Sequence, residues 1–121
     1  MAYPLGGHFH IPHGLSNALV LPHVLAFNAE VAAPLYAELA PLVLGARLKA
    51  GSVASLSEQL IAELTAVSQR SGLPTRLRDA GVPEEMLPRL ADDAMLQQRL
   101  LVNNPRDVSR DQALAIYQAA Y

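Results

Sequence analysis

Apolar residues recur with the spacing of α-helices from Pro12 to the end of the chain. The clearest stripe is formed by Leu56, Leu60, Leu64 and Val67, which share one face of a helix. Evidence for strands is poor, because β-branched residues are few and no long alternating run occurs. With 121 residues, the chain is long enough for one core. The pattern therefore predicts an all-α fold, a helical bundle in which residues 1–121 form a single domain.

Capping residues predict where two of the helices begin. Ser55 and Glu58 have the spacing of a capping box, as do Ser109 and Gln112. Gly72 is suited to end the first of these helices. The second is predicted to be a terminal helix that docks through the apolar and aromatic residues of one face, Leu114, Tyr117 and Tyr121.

Prolines divide the first third of the helical region. Pro34 can open a helix and Gly45 can close it, which predicts a helix over residues 34–45. An earlier helix is predicted over residues 14–28. Because a proline inside a helix costs about 3 kcal/mol or more, we expect this earlier helix to kink or split at Pro22, and Pro41 poses the same difficulty in the later one.

Composition adds an expectation of association. Apolar residues make up 51% of the chain and charged residues 17%. A chain of this length buries only about 60 to 70% of its unfolded surface. Some of the apolar excess is therefore expected to meet another chain, either in a homo-oligomer or against a missing N-terminal half.

Charge and residue usage exclude several classes of partner. The net charge of −2, without a basic stripe, argues against nucleic acid. The chain has no cysteine, which is compatible with a reducing compartment. No uninterrupted apolar run reaches the roughly 18 residues of a membrane span, and the N-terminus does not resemble a secretion signal. We therefore expect a soluble, cytoplasmic protein with no membrane partner.

All four histidines lie within residues 8–23, where His8, His10, His13 and His23 follow one another. Imidazole is a common metal ligand, so one hypothesis is a self-contained metal carrier that uses the first three. Spacing argues against it, since His8 and His10 share a face only on a strand, and His10 and His13 only on a helix. The alternative places His8 and His10 on a glycine-rich loop and makes His23 a packed, hydrogen-bonded residue.

His13 differs from the other three because it stands between Pro12 and Gly14, where a helix is predicted to begin. A single imidazole does not make a metal site, since zinc and iron sites generally need three or four protein ligands. The available carboxylates have the sequence neighbourhoods of ordinary solvated helix ends and faces. They are Glu30, Asp79, Asp92 and Asp93.

The stretch "PLGGHFHIPHGLSNALVLPHVLAFN" resembles the metal-binding segment of the iron-containing alcohol dehydrogenases, including their maleylacetate reductase branch. Two later stretches, "GLPTRLRDAGVPEEMLPRLADDAM" and "NNPRDVSRDQALAIYQAAY", resemble the late helices and the closing Asn-Pro-Arg segment of the same family. The resemblance covers essentially the whole chain. It implies the later part of the C-terminal helical domain of a dehydroquinate synthase-like fold, without the N-terminal NAD(P)-binding domain.

The resemblance also assigns roles to residues. The family binds Fe2+ or Zn2+ through one Asp and three His, and the His of its Pro-His-Gly motif corresponds to His13. The other three ligands would precede Met1. Asn17 and Pro22 match structural positions of the motif, whereas His8, His10 and His23 match no ligand. Tyr3 occupies the position of a family His near the nicotinamide and the substrate, and an ordinary tyrosine pKa near 10 does not suit a proton relay at neutral pH.

The leading hypothesis is thus the C-terminal metal-binding segment of an iron-dependent, NAD(P)-linked alcohol dehydrogenase. In such an enzyme the metal polarises the alcohol oxygen and assists hydride transfer. Alone, the chain is expected to be inactive and to bind neither metal nor NAD(P) tightly, since it contains no G-x-G-x-x-G motif. The alternative is a non-catalytic helical interaction module that self-associates or pairs with a separately encoded N-terminal half.

Overall fold

The computed structural model describes all residues from Met1 to Tyr121 and contains helices but no strands. The all-α prediction is therefore confirmed. Short 3-10 turns at residues 45–47, 78–80 and 84–86 connect the helices. In chain order the helices are α1 (Ala2–Phe9), α2 (His13–Leu44), α3 (Val53–Arg70), α4 (Leu87–Met95), α5 (Gln98–Leu101) and α6 (Arg110–Ala119).

Helix α2 is continuous over 32 residues and contains Pro22, Pro34 and Pro41. The prediction of two separate helices is wrong, because α2 runs without a break through Pro22 and across the predicted boundary before Pro34. Each proline removes one backbone hydrogen bond, but α2 packs against α1 and α6 and, over most of its contacts, against α3. Packing on these neighbours compensates the local cost, which is a case of tertiary structure overriding propensity.

Of the ends predicted for α3 and α6, two are confirmed and one is wrong, and Gly45 caps α2 as predicted. Helix α6 begins with the complete capping box of Ser109 and Gln112, and Gly72 follows α3 with a φ of 73°. Helix α3, however, begins one turn earlier than predicted. Its N-cap is Ser52, whose hydroxyl accepts a hydrogen bond from the backbone N–H of Ser55 at 3.2 Å.

The main core lies where α1, the first half of α2, α4 and α6 meet. Tyr117 of α6 is fully buried there, and Leu114 and Tyr121 pack around the same core, so the predicted docking face of the last helix is confirmed. The chain end is also bound to the segment before α4, because the backbone N–H of Leu77 donates to the carbonyl of Ala120 at 2.8 Å. The largest fully buried apolar residues are Leu5, Leu19, Leu77, Leu90 and Tyr117.

The N-terminal segment is a helix, not the glycine-rich loop predicted to carry His8 and His10. Gly6 and Gly7 lie inside α1, and His8 lies in its last turn. His10 ends the helix in the left-handed conformation, with a φ of 54°. The loop prediction failed because Leu5, in the middle of α1, is completely buried, and burying this face stabilises a helix that its glycines disfavour.

The second half of α2 exposes a stripe of large apolar side chains, Val31, Leu35, Leu39 and Leu42, whose exposed fractions are 51, 61, 49 and 82%. We call these four residues the α2 stripe. By length and composition alone, the helical region His13–Arg47 is long and apolar enough to span a membrane. Core helices of soluble proteins meet the same criterion, so this property alone does not assign a location.

Candidate site at the junction of the first two helices

The candidate site lies where α1 and α2 meet. Its two central residues are Tyr3 on α1 and His13, the first residue of α2. Their ring centroids are 5.5 Å apart and the ring planes are inclined by 74°, which is an edge-to-face contact. The structure therefore brings together the two residues that the sequence singled out, and it confirms that His13 stands at the start of a helix.

The turn before His13 is fixed by local chemistry. Pro12 is extended, with φ of −52° and ψ of 140°, and its carbonyl accepts the backbone N–H of Ser16 at 2.9 Å. The buried Ser16 hydroxyl donates to the carbonyl of Ile11 at 3.2 Å, and the Ile11 side chain is itself buried. These bonds fix the angle at which the chain enters α2, and so the direction in which the His13 side chain projects from the helix.

His8 binds a carboxylate on another helix. Its Nε2 lies 2.5 Å from Asp93 Oδ2 on α4, and the guanidinium of Arg89 donates to the same oxygen at 3.2 Å. The hydrogen bond with His8, joined by that with Arg89, holds the pKa of the Asp93 carboxyl below its ordinary value. Asp93 was expected to be a solvated residue of α4, and that expectation is wrong because its side chain is only 20% exposed.

The other end of α1 is bound to α6. The hydroxyl of Tyr117 donates to the backbone carbonyl of Met1 at 2.6 Å. Burial raises the pKa of the Tyr117 hydroxyl, so this group remains a protonated donor at neutral pH. Helix α1 is therefore held at its first residue by α6 and at its last turn by α4.

An open recess of about 360 Å³ lies between α1 and α4 and is lined by Tyr3 but not by His13. Tyr3 and His8 line it from α1, Asp93 lines it from α4, and Leu96 and Gln97 close it from the segment after α4. A phenol, an imidazole and a carboxylate thus share one solvent-accessible space. Such a combination can donate and accept hydrogen bonds to a small polar molecule.

The remaining histidines and carboxylates do not join this site. His23 is half-buried on α2, where burial lowers its pKa, in keeping with the predicted packing; the predicted hydrogen bond is not formed. Glu30 pairs with Arg106, Asp79 with Arg76, and Asp92 with Arg110. His8 is bound to Asp93 instead of approaching His13, so the hypothesis of a self-contained three-histidine site is wrong.

No group of three or more His, Asp or Glu side chains comes together anywhere in the chain. A zinc or iron site generally needs three or four protein ligands. The residues of this chain alone therefore do not fit a complete metal site, and any metal held by His13 would need ligands from another segment.

A polar clamp further along α2 was not foreseen from the sequence. The side-chain amides of Asn28 and Asn104 exchange two hydrogen bonds, each of 2.8 Å. The guanidinium of Arg106 donates to the carbonyl of Phe27 at 3.1 Å and lies 4.2 Å from its ring centroid. The Asn-Pro-Arg segment that carried part of the family resemblance thus binds the loop before α6 to the middle of α2.

Comparison with known proteins gives a consistent result. A family model described as the C-terminal part of the Fe-containing alcohol dehydrogenase family matches residues 1–121. The chain is 33% identical over 121 residues to the lactaldehyde reductase of Escherichia coli strain K12. It is 36% identical over 121 residues to the 1,3-propanediol dehydrogenase of Klebsiella pneumoniae. Both alignments cover 100% of this chain and 31% of the relative, so the chain spans about a third of the length of these relatives.

Solved structures agree with the fold. A 1,3-propanediol oxidoreductase superposes with a TM-score of 0.91 at 35% identity, over 99% of this chain and 31% of the other. An alcohol dehydrogenase from Oenococcus oeni superposes with a TM-score of 0.90 at 30% identity, again over 99% of this chain and 31% of the other. These values confirm that the six helices have the arrangement found in one segment of longer proteins.

Proposed function

Because the chain belongs to the Fe-containing alcohol dehydrogenase family, as its C-terminal part, we propose that it forms the metal-binding segment of an NAD(P)-linked alcohol dehydrogenase. In this proposal His13 supplies one ligand to a divalent metal, Fe2+ or Zn2+. The remaining ligands and the nucleotide site belong to sequence outside this chain. The observation that carries the proposal is the position of His13, at the start of the rigid helix α2 and in contact with Tyr3.

The residues at the junction have separate tasks. The His13 imidazole is presented by the first turn of α2, so its backbone is fixed before a metal arrives. The metal, when bound, supplies a Lewis acid that polarises the alcohol oxygen. Tyr3 limits the rotation of the His13 ring through its edge-to-face contact and presents a phenol to the open recess. This phenol can hydrogen-bond a substrate oxygen.

The isolated chain is proposed to be inactive, as an incomplete ligand set would require. A direct test replaces the matched segment of the Klebsiella pneumoniae 1,3-propanediol dehydrogenase, which is 31% of that protein, by this chain. The purified chimera should contain close to one divalent metal per chain and reduce NAD(P) in the presence of a small alcohol. In the chimera, His13→Ala should weaken metal affinity by more than about 100-fold, beyond the loss expected when only a ligand's neighbours are changed.

Matched variants sharpen the test. His23→Ala removes a histidine that lies half-buried on the same helix and should leave the metal content unchanged. Tyr3→His restores an imidazole at the substrate side and should raise the rate at neutral pH. Full metal occupancy in the His13→Ala chimera, measured by atomic emission, would overturn the assignment of His13.

A second candidate function rests on the α2 stripe. Four large apolar side chains that are at least 49% exposed favour a helical interaction module, which pairs with a second copy or with an N-terminal half on another chain. Light scattering after size exclusion tests this candidate. We expect a dimer or larger species that dissociates in the double variant Leu35→Lys/Leu42→Lys, and a monomeric wild-type chain would refute self-association. In either case we propose a soluble, cytoplasmic protein.

A further inference from the structure

Helix α1 has little reason to form by itself. It has 8 residues, includes Pro4, Gly6 and Gly7, and has no side-chain cap at Met1. Isolated helices shorter than about 12 residues are marginal in water, and each interior glycine costs about 0.5–1 kcal/mol relative to alanine. The position of α1, and therefore of Tyr3, must come from contacts with the rest of the fold.

Helix α1 is held by apolar burial and by two hydrogen bonds, which differ in kind. Leu5 is completely buried in the core, but apolar burial is non-directional and tolerates rotation and sliding. The hydrogen bond from Tyr117 to the Met1 carbonyl fixes the first residue. The His8–Asp93 bond, which joins residues 85 positions apart in the chain, fixes the last turn. The two polar contacts add directional constraints, one at each end of α1, to the burial of Ala2, Pro4 and Leu5.

The Asp93 carboxylate is oriented by a second hydrogen bond besides the one with His8. Arg89 lies one turn earlier on α4 and donates to the same carboxylate oxygen, so the side chain of Asp93 is already oriented. The side chains of His8 and Asp93 are 33% and 20% exposed, a partly desolvated setting in which a hydrogen bond to a charged group is worth more than one in bulk water. The pair is therefore a directional attachment point for α1.

We infer that His8 and Asp93 are a positioning pair for the candidate site, which holds α1 so that the Tyr3 ring meets the edge of His13. Tyr3 lies five residues before His8 on the same short helix. Loss of the attachment at His8 therefore lets α1 shift, and Tyr3 moves with it. The inference rests on the proposed function in one respect only, namely that a fixed His13 ring serves to bind a metal. The contact between Tyr3 and His13 can be measured without any metal.

The test uses NMR on the full 121-residue chain. The ring protons of His13 feel the ring current of Tyr3, and Tyr3→Leu defines their chemical shifts when that contact is absent. His8→Phe keeps an aromatic ring but removes the bond to Asp93, and it should move the His13 shifts at least halfway to the Tyr3→Leu values. His8→Gln retains a side-chain donor and should stay within a quarter of that difference from wild type.

Two further variants separate positioning from general packing. Asp93→Ala should reproduce the effect of His8→Phe, whereas Asp92→Ala, which removes the adjacent carboxylate paired with Arg110, should leave the His13 shifts unchanged. Should Asp93→Ala fail to fold, His8→Phe still tests the inference, because the His8 side chain is 33% exposed and lies outside the core. Wild-type shifts in His8→Phe, or an equal loss in His8→Gln, would overturn the inference. Neither result depends on whether His13 binds metal, so a failure here is distinct from a failure of the proposed function.

Discussion

The strongest energetic prediction concerns the amide pair that joins α2 to the loop before α6. Asn28 is only 4% exposed and exchanges two hydrogen bonds of 2.8 Å with Asn104. A leucine of similar shape at position 28 leaves the part-buried Asn104 amide without the two hydrogen bonds that it makes to Asn28. A net hydrogen bond is worth about 0.5–1.5 kcal/mol and a buried unsatisfied group costs about 1–3 kcal/mol, so Asn28→Leu should cost about 2 kcal/mol.

Substitution of Asn104 should cost more stability than substitution of Asn28, and the double variant should cost less than the sum of the two. Asn104 also donates to the Arg106 carbonyl at 2.7 Å, so Asn104→Leu loses one further bond and should cost about 3 kcal/mol. The double variant Asn28→Leu/Asn104→Leu leaves no orphaned amide at position 28 or 104. Its cost should fall about 1–2 kcal/mol below the sum of the single costs, which is the coupling expected for residues in contact.

Urea unfolding followed by circular dichroism at 222 nm measures all three free energies. With a slope of about 1–2 kcal/mol per molar for a chain of this size, a loss of 2 kcal/mol lowers the midpoint by about 1–2 M. Asn103→Leu is the matched control, because Asn103 is exposed and bonds only within its own turn; it should cost less than about 0.5 kcal/mol. Additivity of the two single variants within about 0.5 kcal/mol would refute the reasoning.

Three other predictions concern α1 and its contacts. Gly7→Ala should stabilise the chain by about 0.5–1 kcal/mol in urea unfolding, since Gly7 is helical and its added Cβ meets nothing within 4 Å. Gly81→Ala should destabilise the chain, because Gly81 has a φ of 83°. Equal effects of the two substitutions would contradict the argument. Tyr117→Phe should lower stability by about 1–2 kcal/mol by removing the donor to the Met1 carbonyl, and an unchanged midpoint would show that this bond contributes nothing. The native pKa of the Asp93 carboxyl is depressed, so the stabilisation by this group is present above its ordinary pKa and is lost as pH falls through the lower native value. Below about pH 4 the free energy of unfolding should therefore fall less steeply with decreasing pH in Asp93→Asn than in wild type. Parallel slopes for the two proteins would count against this linkage.

Sequence reasoning worked best where the deciding signal is local. The capping box at Ser109 and Gln112 was predicted and found, because both bonds form within one turn. The same reasoning failed at Ser55, since a second serine three residues earlier competes for the cap and is the residue used. The start of α2 at His13 was likewise predictable from its flanking proline and glycine.

Long-range contacts explain the remaining errors. The 32-residue helix α2 persists through three prolines because packing against neighbouring helices outweighs their local cost. The predicted loop around His8 is a helix for the same reason. Nothing in the spacing of the four histidines indicates that His8 pairs with Asp93, 85 residues away. The identity of a histidine's partner is a property of the tertiary fold.

Covering the α2 stripe would contribute a large stabilising free energy. Fully burying a large apolar side chain stabilises by about 1.5–3 kcal/mol, so covering four that are roughly half exposed would add on the order of 3–6 kcal/mol. A whole domain of this size is stable by only about 5–15 kcal/mol. An occupant of this surface would therefore contribute a large share of the total. The stability of the isolated chain should accordingly rise with its concentration if a second copy is that occupant, and a concentration-independent midpoint would rule out self-association through the α2 stripe.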